Sequence, residues 1–191
     1  MSIIWLLITG TVSYSGYFKN TSDTPPRFLF VILASVVMTI FFYKKANKNN
    51  LNTRFLLAIH ILRVPVEVIL YQLYLQKKVP ILMTFKAWNF DIMVGISALI
   101  LIAFLFIVER QISRIFMFWW NVIGLVFLVF IVAIAILSAP LPIQQLAFDQ
   151  PNIAVLEFPF IYLPAYIVPV VFLSHILLLR SLPQIRDIEG N

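Results

Sequence analysis

The stretch IFMFWWNVIGLVFLVFIVAIAILS, residues 115–138, decides the fold, because none of its side chains is charged. An α-helix that crosses a membrane needs about 20 predominantly apolar residues. Trp119 and Trp120 lie near the start of the stretch, where aromatic side chains often mark a membrane–water interface. The stretch therefore predicts a transmembrane helix.

The composition of the whole chain indicates the same solvent. Of its 191 residues, 62% are hydrophobic and 12% are charged, whereas an average soluble domain is about half apolar and about a quarter charged. A globule of this size cannot bury so much apolar surface within itself. The absence of cysteine excludes disulfides, thiolate metal sites and cysteine nucleophiles. We therefore expect an integral membrane protein whose main partner is the lipid bilayer.

Five further apolar runs lie outward from residues 115–138, and short polar gaps separate them. The first run is the shortest, and it lacks the basic start and the cleavage site of a signal peptide. The predicted fold is an all-α integral membrane bundle of about six transmembrane helices, with residues 1–191 in a single domain. The predicted spans are 2–18, 28–43, 55–76, 90–108, 115–138 and 160–180.

The net charge of +6 comes from basic residues in the gaps between the apolar runs, without a long basic arm. Each Lys or Arg there gains about 1 kcal/mol from anionic head groups, so we expect no nucleic-acid partner. With six spans, eight basic residues lie on one side and five on the other, and Arg63 lies within a span. The positive-inside rule then predicts that both termini are cytoplasmic.

The third predicted span carries a polar stripe. His60, Arg63 and Glu67 follow the spacing i, i+3, i+7, which places them on one face of a helix, and Tyr71 continues that face. Ionisable groups in a membrane are costly and usually face the interior of the bundle, where they pair. Pro65 lies within the stripe and predicts a kink.

Helix length connects this stripe to two other spans. His60 lies about 7–8 Å from the predicted cytoplasmic end of its helix, His175 lies at a similar depth, and Asn121 lies at about 9 Å. Three helices thus bring polar side chains to one level. This level is the candidate site for a small ligand or a proton relay; the candidate residues are His60, Arg63, Glu67, Tyr71, Asn121 and His175. In the alternative interpretation, Arg63 and Glu67 pair with each other and only hold the bundle together.

A second polar cluster is predicted towards the outer side. We interpret Asp91 first as a helix cap and Asp149 first as a turn residue, and Asp149 and Glu157 could neutralise nearby lysines. Pro164 and Pro169 predict either a kink beside a cavity or a tolerated bend in the last span. The members of this outer cluster are Asn89, Asp91, Asp149 and Glu157, and its neighbouring lysines are Lys77, Lys78 and Lys86.

Several short stretches together resemble a family of small, uncharacterised bacterial membrane proteins, and the likeness covers most of the chain. The resemblance implies a bacterial inner (plasma) membrane location, and it supplies no reaction. Lys86 departs from the family pattern, which has an acidic residue at that position. The stretches that carry the resemblance are Pro25-Pro26-Arg27-Phe28, His60-x-x-Arg63-x-Pro65-Val66-Glu67, Met83-Thr84-Phe85, Asn89-Phe90-Asp91-Ile92, Asp149 to Val155, Phe158-Pro159, Leu163-Pro164 and Ser174-His175.

Four functions stay open at this point. The first is binding of a small ligand or relay of protons, and its main rival is a structural or assembly subunit of a membrane complex. A b-type haem protein with His60 and His175 as axial ligands ranks lower. So does a lipid enzyme, because no catalytic motif supports one. No confident metal site is predicted. A cavity lined by the candidate residues would favour a binding site, whereas a closed network of paired groups would favour a structural role. In either case, we expect Arg63→Ala and Glu67→Gln to destabilise the protein by leaving a buried partner unpaired.

Overall fold

The computed structural model describes residues 2–21, 23–47, 51–108 and 112–182, and within these residues it is helical with no strand. Six helices confirm the predicted all-α class. Four of them, α2, α3, α5 and α6, are long and apolar enough to cross a membrane, whereas α1 and α4 are shorter. In chain order the helices are α1 Ser2–Tyr14, α2 Phe28–Lys45, α3 Thr53–Leu75, α4 Asp91–Ile107, α5 Arg114–Leu137 and α6 Leu163–Ser181.

The topology prediction depends partly on residues that lie outside the described ranges. Three of the eight basic residues that were assigned to one side lie outside the described ranges: Lys48, Arg110 and Arg186. Met1 and residues 183–191 also lie outside them. The cytoplasmic location of both termini therefore stays a prediction.

Helix α1 ends at Tyr14, four residues before the predicted end of the first span. Gly16 follows with a φ of 78°, in the left-handed region that favours glycine, and a short 3-10 turn begins at Tyr17. Helix α6 begins at Leu163, three residues later than predicted. The other four helices begin and end within two residues of the predicted bounds.

Helix α3 is interrupted where the sequence predicted an irregularity. It consists of α-helical turns over Thr53–Ile59, a 3-10 turn over His60–Leu62 and a second α-helical part over Arg63–Leu75. Pro65 lies just beyond the 3-10 turn and has no N–H that could donate to the Ile61 carbonyl. In that turn the His60 N–H donates to the carbonyls of Leu57 and Ala58, not to that of Leu56, four residues earlier. The Leu56 oxygen instead accepts a hydrogen bond of 2.7 Å from the Ser174 hydroxyl, which joins α3 to α6.

Helix α6 begins with a π-helical turn over Leu163–Ile167 and continues as an α-helix from Val168. Pro169 cannot donate to the carbonyl of Ala165, four residues earlier. That carbonyl instead accepts from Trp5 Nε1 at 2.9 Å. The Ser35 hydroxyl also lies 3.2 Å from it and shares its single hydrogen with the Val31 carbonyl at 2.8 Å. Helices α1 and α2 are thus hydrogen-bonded to α6 at the carbonyl that Pro169 leaves without a donor.

The linker between α3 and α4, residues 76–90, folds back along α3. Asp91, the first residue of α4, contacts Arg63, which lies 12 residues before the end of α3, or about 18 Å along its axis. The linker buries Met83, Thr84 and Asn89 against the bundle. In a membrane, irregular backbone at such a depth is tolerated only where protein covers it or a cavity adjoins it. Helix α4 thus starts beside the middle of α3, and it has only 17 residues.

Candidate functional site

Arg63 is the centre of a buried polar network. Its side chain is 3% exposed, and its Nη1 donates to Asp91 Oδ1 at 2.8 Å. Its Nη2 donates to His175 Nε2 at 2.8 Å and lies 3.4 Å from the Gly124 carbonyl. The partner of Arg63 is thus Asp91 rather than the Glu67 of the alternative interpretation.

The position of Asp91 corrects two expectations. We placed it on the outer side, away from the histidines, and interpreted its side chain as a helix cap. Its carboxylate is instead paired with Arg63, and the first N–H of the helix, that of Asp91, donates to Asn89 Oδ1 at 3.0 Å. The reason is the inward fold of the linker, which brings the start of α4 to the level of Arg63.

The hydrogen bonds of His175 define its tautomer. A guanidinium has only donors, so His175 Nε2 must accept from Arg63, and Nδ1 carries the hydrogen. Nδ1 then donates to Asn121 Oδ1 at 2.9 Å, and Asn121 Nδ2 donates to the Met117 carbonyl at 2.8 Å. We call Arg63, Asp91, His175 and Asn121 the Arg63 network. It connects α3, α4, α5 and α6.

Gly124 leaves the space that the His175 ring occupies. A Cβ at this position would lie 2.5 Å from His175 Cε1 and 2.9 Å from Nε2, distances that no real Cβ shows. Only glycine therefore allows α5 to approach the ring while Arg63 and Asn121 both hold it.

His60 joins the other two residues of the predicted level. It is fully buried, and its ring centroid lies 4.1 Å from that of His175 and 5.2 Å from that of Trp120. His60, Asn121 and His175 therefore lie together in the structure. Neither ring nitrogen of His60 has a hydrogen-bond partner among the described residues.

The two histidines do not fit a haem with both as axial ligands. Axial ligation needs one nitrogen from each ring on opposite faces of the iron. Here the rings lie side by side, tilted by 43°, and both nitrogens of His175 are engaged by Arg63 and Asn121. Within the described ranges, no group of three or more His, Cys, Asp or Glu side chains is arranged to hold a metal ion.

Glu67 lies beside the Arg63 network with a different partner. Its side chain is almost fully buried, and its Oε1 accepts a hydrogen bond from Asn89 Nδ2, which also donates to the Met83 carbonyl at 3.0 Å. Its second oxygen, Oε2, is buried and has no hydrogen-bond partner in the described part of the chain. Glu67 thus has one committed oxygen and one uncommitted oxygen.

A cavity of about 440 Å³ adjoins Glu67, and α2, α5 and α6 form its walls. Its walls are almost entirely apolar, and Glu67, Asn89 and Asp91 form a polar end. The hydroxyls of Ser35 and Thr39, which also line it, are bonded to backbone carbonyls. This volume lies within the range of about 300–1,000 Å³ that is usual for small-molecule sites.

The cavity opens sideways, between α2 and α5. Three of its lining residues, Val36, Ile40 and Val129, are about half exposed, so the mouth lies on the apolar outer surface of the bundle. Pro164 and Pro169 lie on the α6 wall, beside the π-helical turn. The expectation of a proline irregularity beside a cavity agrees with this arrangement.

Three predicted residues lie away from this site. Tyr71 accepts a hydrogen bond from Lys86 Nζ at 2.6 Å near the end of α3. Glu157 pairs with Lys78 at 2.7 Å and with Lys19 at 3.0 Å, which agrees with its expected role in neutralising a lysine. Asp149 is exposed in a turn. The hydrogen bond from Lys78, supported by Lys19, lowers the pKa of Glu157 against the opposing effect of its partial burial.

These features define a class: an all-helical bundle with a buried ion pair beside a lateral apolar cavity. Residues 27–183 match a family model described as Domain of unknown function (DUF8737), so the chain belongs to this family, as its resemblance to an uncharacterised family implied. The match includes the Arg63 network and the cavity-lining residues and begins after α1. Neither a curated protein nor a solved structure matches the chain.

Proposed function

We propose that this protein is a multi-pass protein of the bacterial inner membrane, with both termini in the cytoplasm, that binds a small amphiphilic ligand from the bilayer. Four helices of sufficient length and apolarity support the membrane location. The count of basic residues and the resemblance described above support the orientation and the bacterial source. The ligand would lie in the cavity between α2 and α5.

One observation carries the proposal. The cavity is apolar along its walls, and its polar end contains a buried carboxyl group with an oxygen that has no hydrogen-bond partner among residues 2–21, 23–47, 51–108 and 112–182. A buried polar atom without a hydrogen bond costs about 1–3 kcal/mol. A ligand that inserts an apolar chain and donates a hydrogen bond to Glu67 would remove that cost.

Ligand binding is favoured over a proton relay. A relay from the cavity to His175 would pass through Arg63, which lies between Asp91 and His175. A guanidinium does not release its proton in proteins, so it interrupts such a chain. His60 offers no detour, because its nitrogens make no hydrogen bond to the described residues.

The rival function, a structural or assembly subunit, is supported only for part of the site. The Arg63 network joins four helices, and such internal ties explain why these residues are present. This role leaves the cavity and the uncommitted Glu67 oxygen without an explanation. We therefore propose a structural role for the Arg63 network and a binding role for the end of the cavity at Glu67.

A pair of matched variants tests the proposal. Ala135 lines the cavity, whereas Ala133, two residues earlier on α5, is exposed on the outside of the helix. We expect Ala135→Phe to fill the cavity and Ala133→Phe to leave it open. Each protein is purified in a mild detergent and analysed by native mass spectrometry, and its bound small molecules are extracted and quantified.

We expect one amphiphile per chain in the wild type and in Ala133→Phe, and a loss of about tenfold or more in Ala135→Phe. Melting curves identify any variant that fails to fold, and Ala135→Leu then replaces it as a milder obstruction. A ligand content that is equal in both Phe variants would refute a site in this cavity. A wild type that carries no small molecule, even after incubation with a bacterial lipid extract, would refute the proposal as a whole.

A further inference from the structure

We infer that the head group of the ligand is a cationic hydrogen-bond donor, an ammonium carried on a single apolar chain. This inference rests on the proposed function, since it concerns the occupant of the same cavity. The ammonium would bind Glu67 at the polar end, and the chain would lie between α2 and α5.

The polar end holds more acidic than basic side chains. Glu67 and Asp91 contribute two carboxylates, and Arg63 is the single basic residue that contacts either of them in the described part of the chain. Arg63 is paired with Asp91, and its other terminal nitrogen is directed to His175, which accepts and is therefore neutral. Among the described residues, Glu67 is left with a neutral amide, Asn89, as its only hydrogen-bond partner.

Nearby basic residues do not supply the missing charge. Lys86 Nζ is held by the Tyr71 hydroxyl on the exposed side of the linker, and Lys78 is bound by Glu157. A buried carboxylate without an opposite charge is costly, so an unpaired buried carboxyl group takes up a proton instead. Only a ligand that brings a positive charge stabilises the ionised form of Glu67 by pairing with it. An anionic head group would find no free positive charge there, because Arg63 is already paired with Asp91.

The geometry at the polar end suits an ammonium. An ammonium is a compact charge with three donors, and the carboxylates of Glu67 and Asp91 reach the cavity from two different helices. A neutral hydroxyl head group could form one hydrogen bond with Glu67 but would give its carboxylate no counter-charge. Charge complementarity therefore selects the amine, while the apolar walls select the chain.

The mouth of the cavity indicates how the ligand enters. Val36 and Ile40 on α2 face Val129 on α5 across the opening, and all three are half exposed on the apolar surface of the bundle. A chain that is already dissolved in the bilayer can pass between these helices without crossing a polar barrier. The expected ligand is thus taken up from within the membrane rather than from water.

The test uses three photoreactive probes of equal length, a primary alkylamine, the corresponding alcohol and the corresponding carboxylic acid, each with a diazirine in the chain. The full-length protein is reconstituted into phosphatidylcholine vesicles, irradiated with each probe and digested, and the labelled residues are identified by mass spectrometry. An excess of dodecylamine serves as the competitor.

We expect the amine to label the α2 and α5 walls about tenfold more than the alcohol or the acid does, and dodecylamine to suppress this labelling. Glu67→Gln should reduce amine labelling to the level of the alcohol, since the amide carries no charge. Glu157→Gln is the matched control, because Glu157 is a lysine-bound carboxylate outside the cavity, and it should leave labelling unchanged.

The two ways of failing are distinct. If the alcohol or the acid labels the cavity walls as strongly as the amine, the inference about the head group is overturned while the proposed function stands. If no probe labels the walls in a manner that its own unlabelled analogue suppresses, the proposed function fails as well. The comparison of the three probes on the wild type decides between these outcomes even if Glu67→Gln does not fold.

Discussion

Arg63 is the side chain on which the bundle depends most. Arg63→Ala would leave the buried Asp91 carboxylate without its counter-charge and His175 Nε2 without its donor. Removing one partner of a buried ion pair typically costs about 3–5 kcal/mol. We expect a large fall in the melting temperature in detergent, whereas Arg54→Ala, which removes an exposed arginine from the same helix, should change it little. Equal melting temperatures in the two variants would contradict a central role for the Arg63 network.

The pairing of Glu157 with Lys78 and Lys19 predicts that the stability of the protein depends on pH. The hydrogen bond from Lys78, followed by the charge of Lys19, lowers the pKa of Glu157 below its ordinary value of 4.5. A lowered pKa means that the stabilising contribution is complete above about pH 4.5 and is lost as the pH falls through the folded-state pKa. Because the pairs are partly exposed, we expect an effect of at most about 1 kcal/mol.

Melting curves recorded from neutral pH downwards check this expectation. Glu157→Gln should remove the part of the acid destabilisation that lies below about pH 4.5. Asp149→Asn, which changes an exposed acid in the same long loop, is the control and should keep the wild-type profile. An unchanged profile in Glu157→Gln would show that the two lysine pairs do not stabilise the fold.

The side chains of the site were predictable to different degrees. Helical spacing placed His60, Arg63 and Glu67 on one buried face, and helix length brought His60 level with Asn121 and His175. The pairings were not predictable, because partner choice depends on the depth at which α4 begins. Those pairings also change one expectation. A glutamine at position 67 would keep an oxygen for Asn89, so we now expect Glu67→Gln to fold with a melting temperature close to that of the wild type.

Among the helices, α6 shows how a proline creates an attachment point. The Ala165 carbonyl lacks its usual α-helical donor because of Pro169. Trp5 supplies a replacement, and Ser35 supplies a second one that it shares with the Val31 carbonyl. Trp5→Phe or Ser35→Ala alone leaves one donor, so each should cost about 1 kcal/mol or less, and the double variant should cost more than their sum. Thermal unfolding of the four proteins measures this coupling.

Trp88→Phe is the matched control for Trp5→Phe, since Trp88 is more than half exposed. It should leave the melting temperature unchanged. Strictly additive effects of Trp5→Phe and Ser35→Ala would contradict the view that both side chains serve one carbonyl.

The bounds of the helices followed closely from hydropathy, whereas their relative depth did not. An apolar run predicts a helix over residues 90–108 whether its start lies at the membrane surface or halfway through the bundle. The 76–90 linker carries Lys77, Lys78 and Lys86, which is typical of a surface loop, yet it buries Met83 and Asn89 beside α3. Only the packing of Asn89 against Glu67 and of Asp91 against Arg63 reveals that the linker folds inward.

For the molecule as a whole, the cavity is the feature that could not be predicted from the sequence. Its walls consist of residues such as Val36, Val129 and Val132, which resemble the exposed apolar residues around them in composition. The three polar residues at its end were recognised as candidates, but they were assigned to two separate clusters. The cavity exists because α2 packs on α6 and leaves a gap towards α5, and a gap between helices has no sequence signature.

The most direct test of ligand binding in this cavity is ¹⁹F NMR of two single-cysteine proteins in bilayers, and the absence of native cysteine makes the labelling specific. Val132→Cys places a small trifluoromethyl label on the cavity wall, and Ala133→Cys places it one residue further on, on the outer surface. Each protein is titrated with dodecylamine and, separately, with dodecanol.

We predict a saturable shift of the label at position 132 and none at position 133, with dodecylamine saturating at the lower concentration. Glu67→Gln in the Val132→Cys protein should remove the advantage of the amine. Equal, non-saturating responses of the two labels to both compounds would mean that the ligands only dissolve in the surrounding bilayer, which would contradict a binding site between α2 and α5.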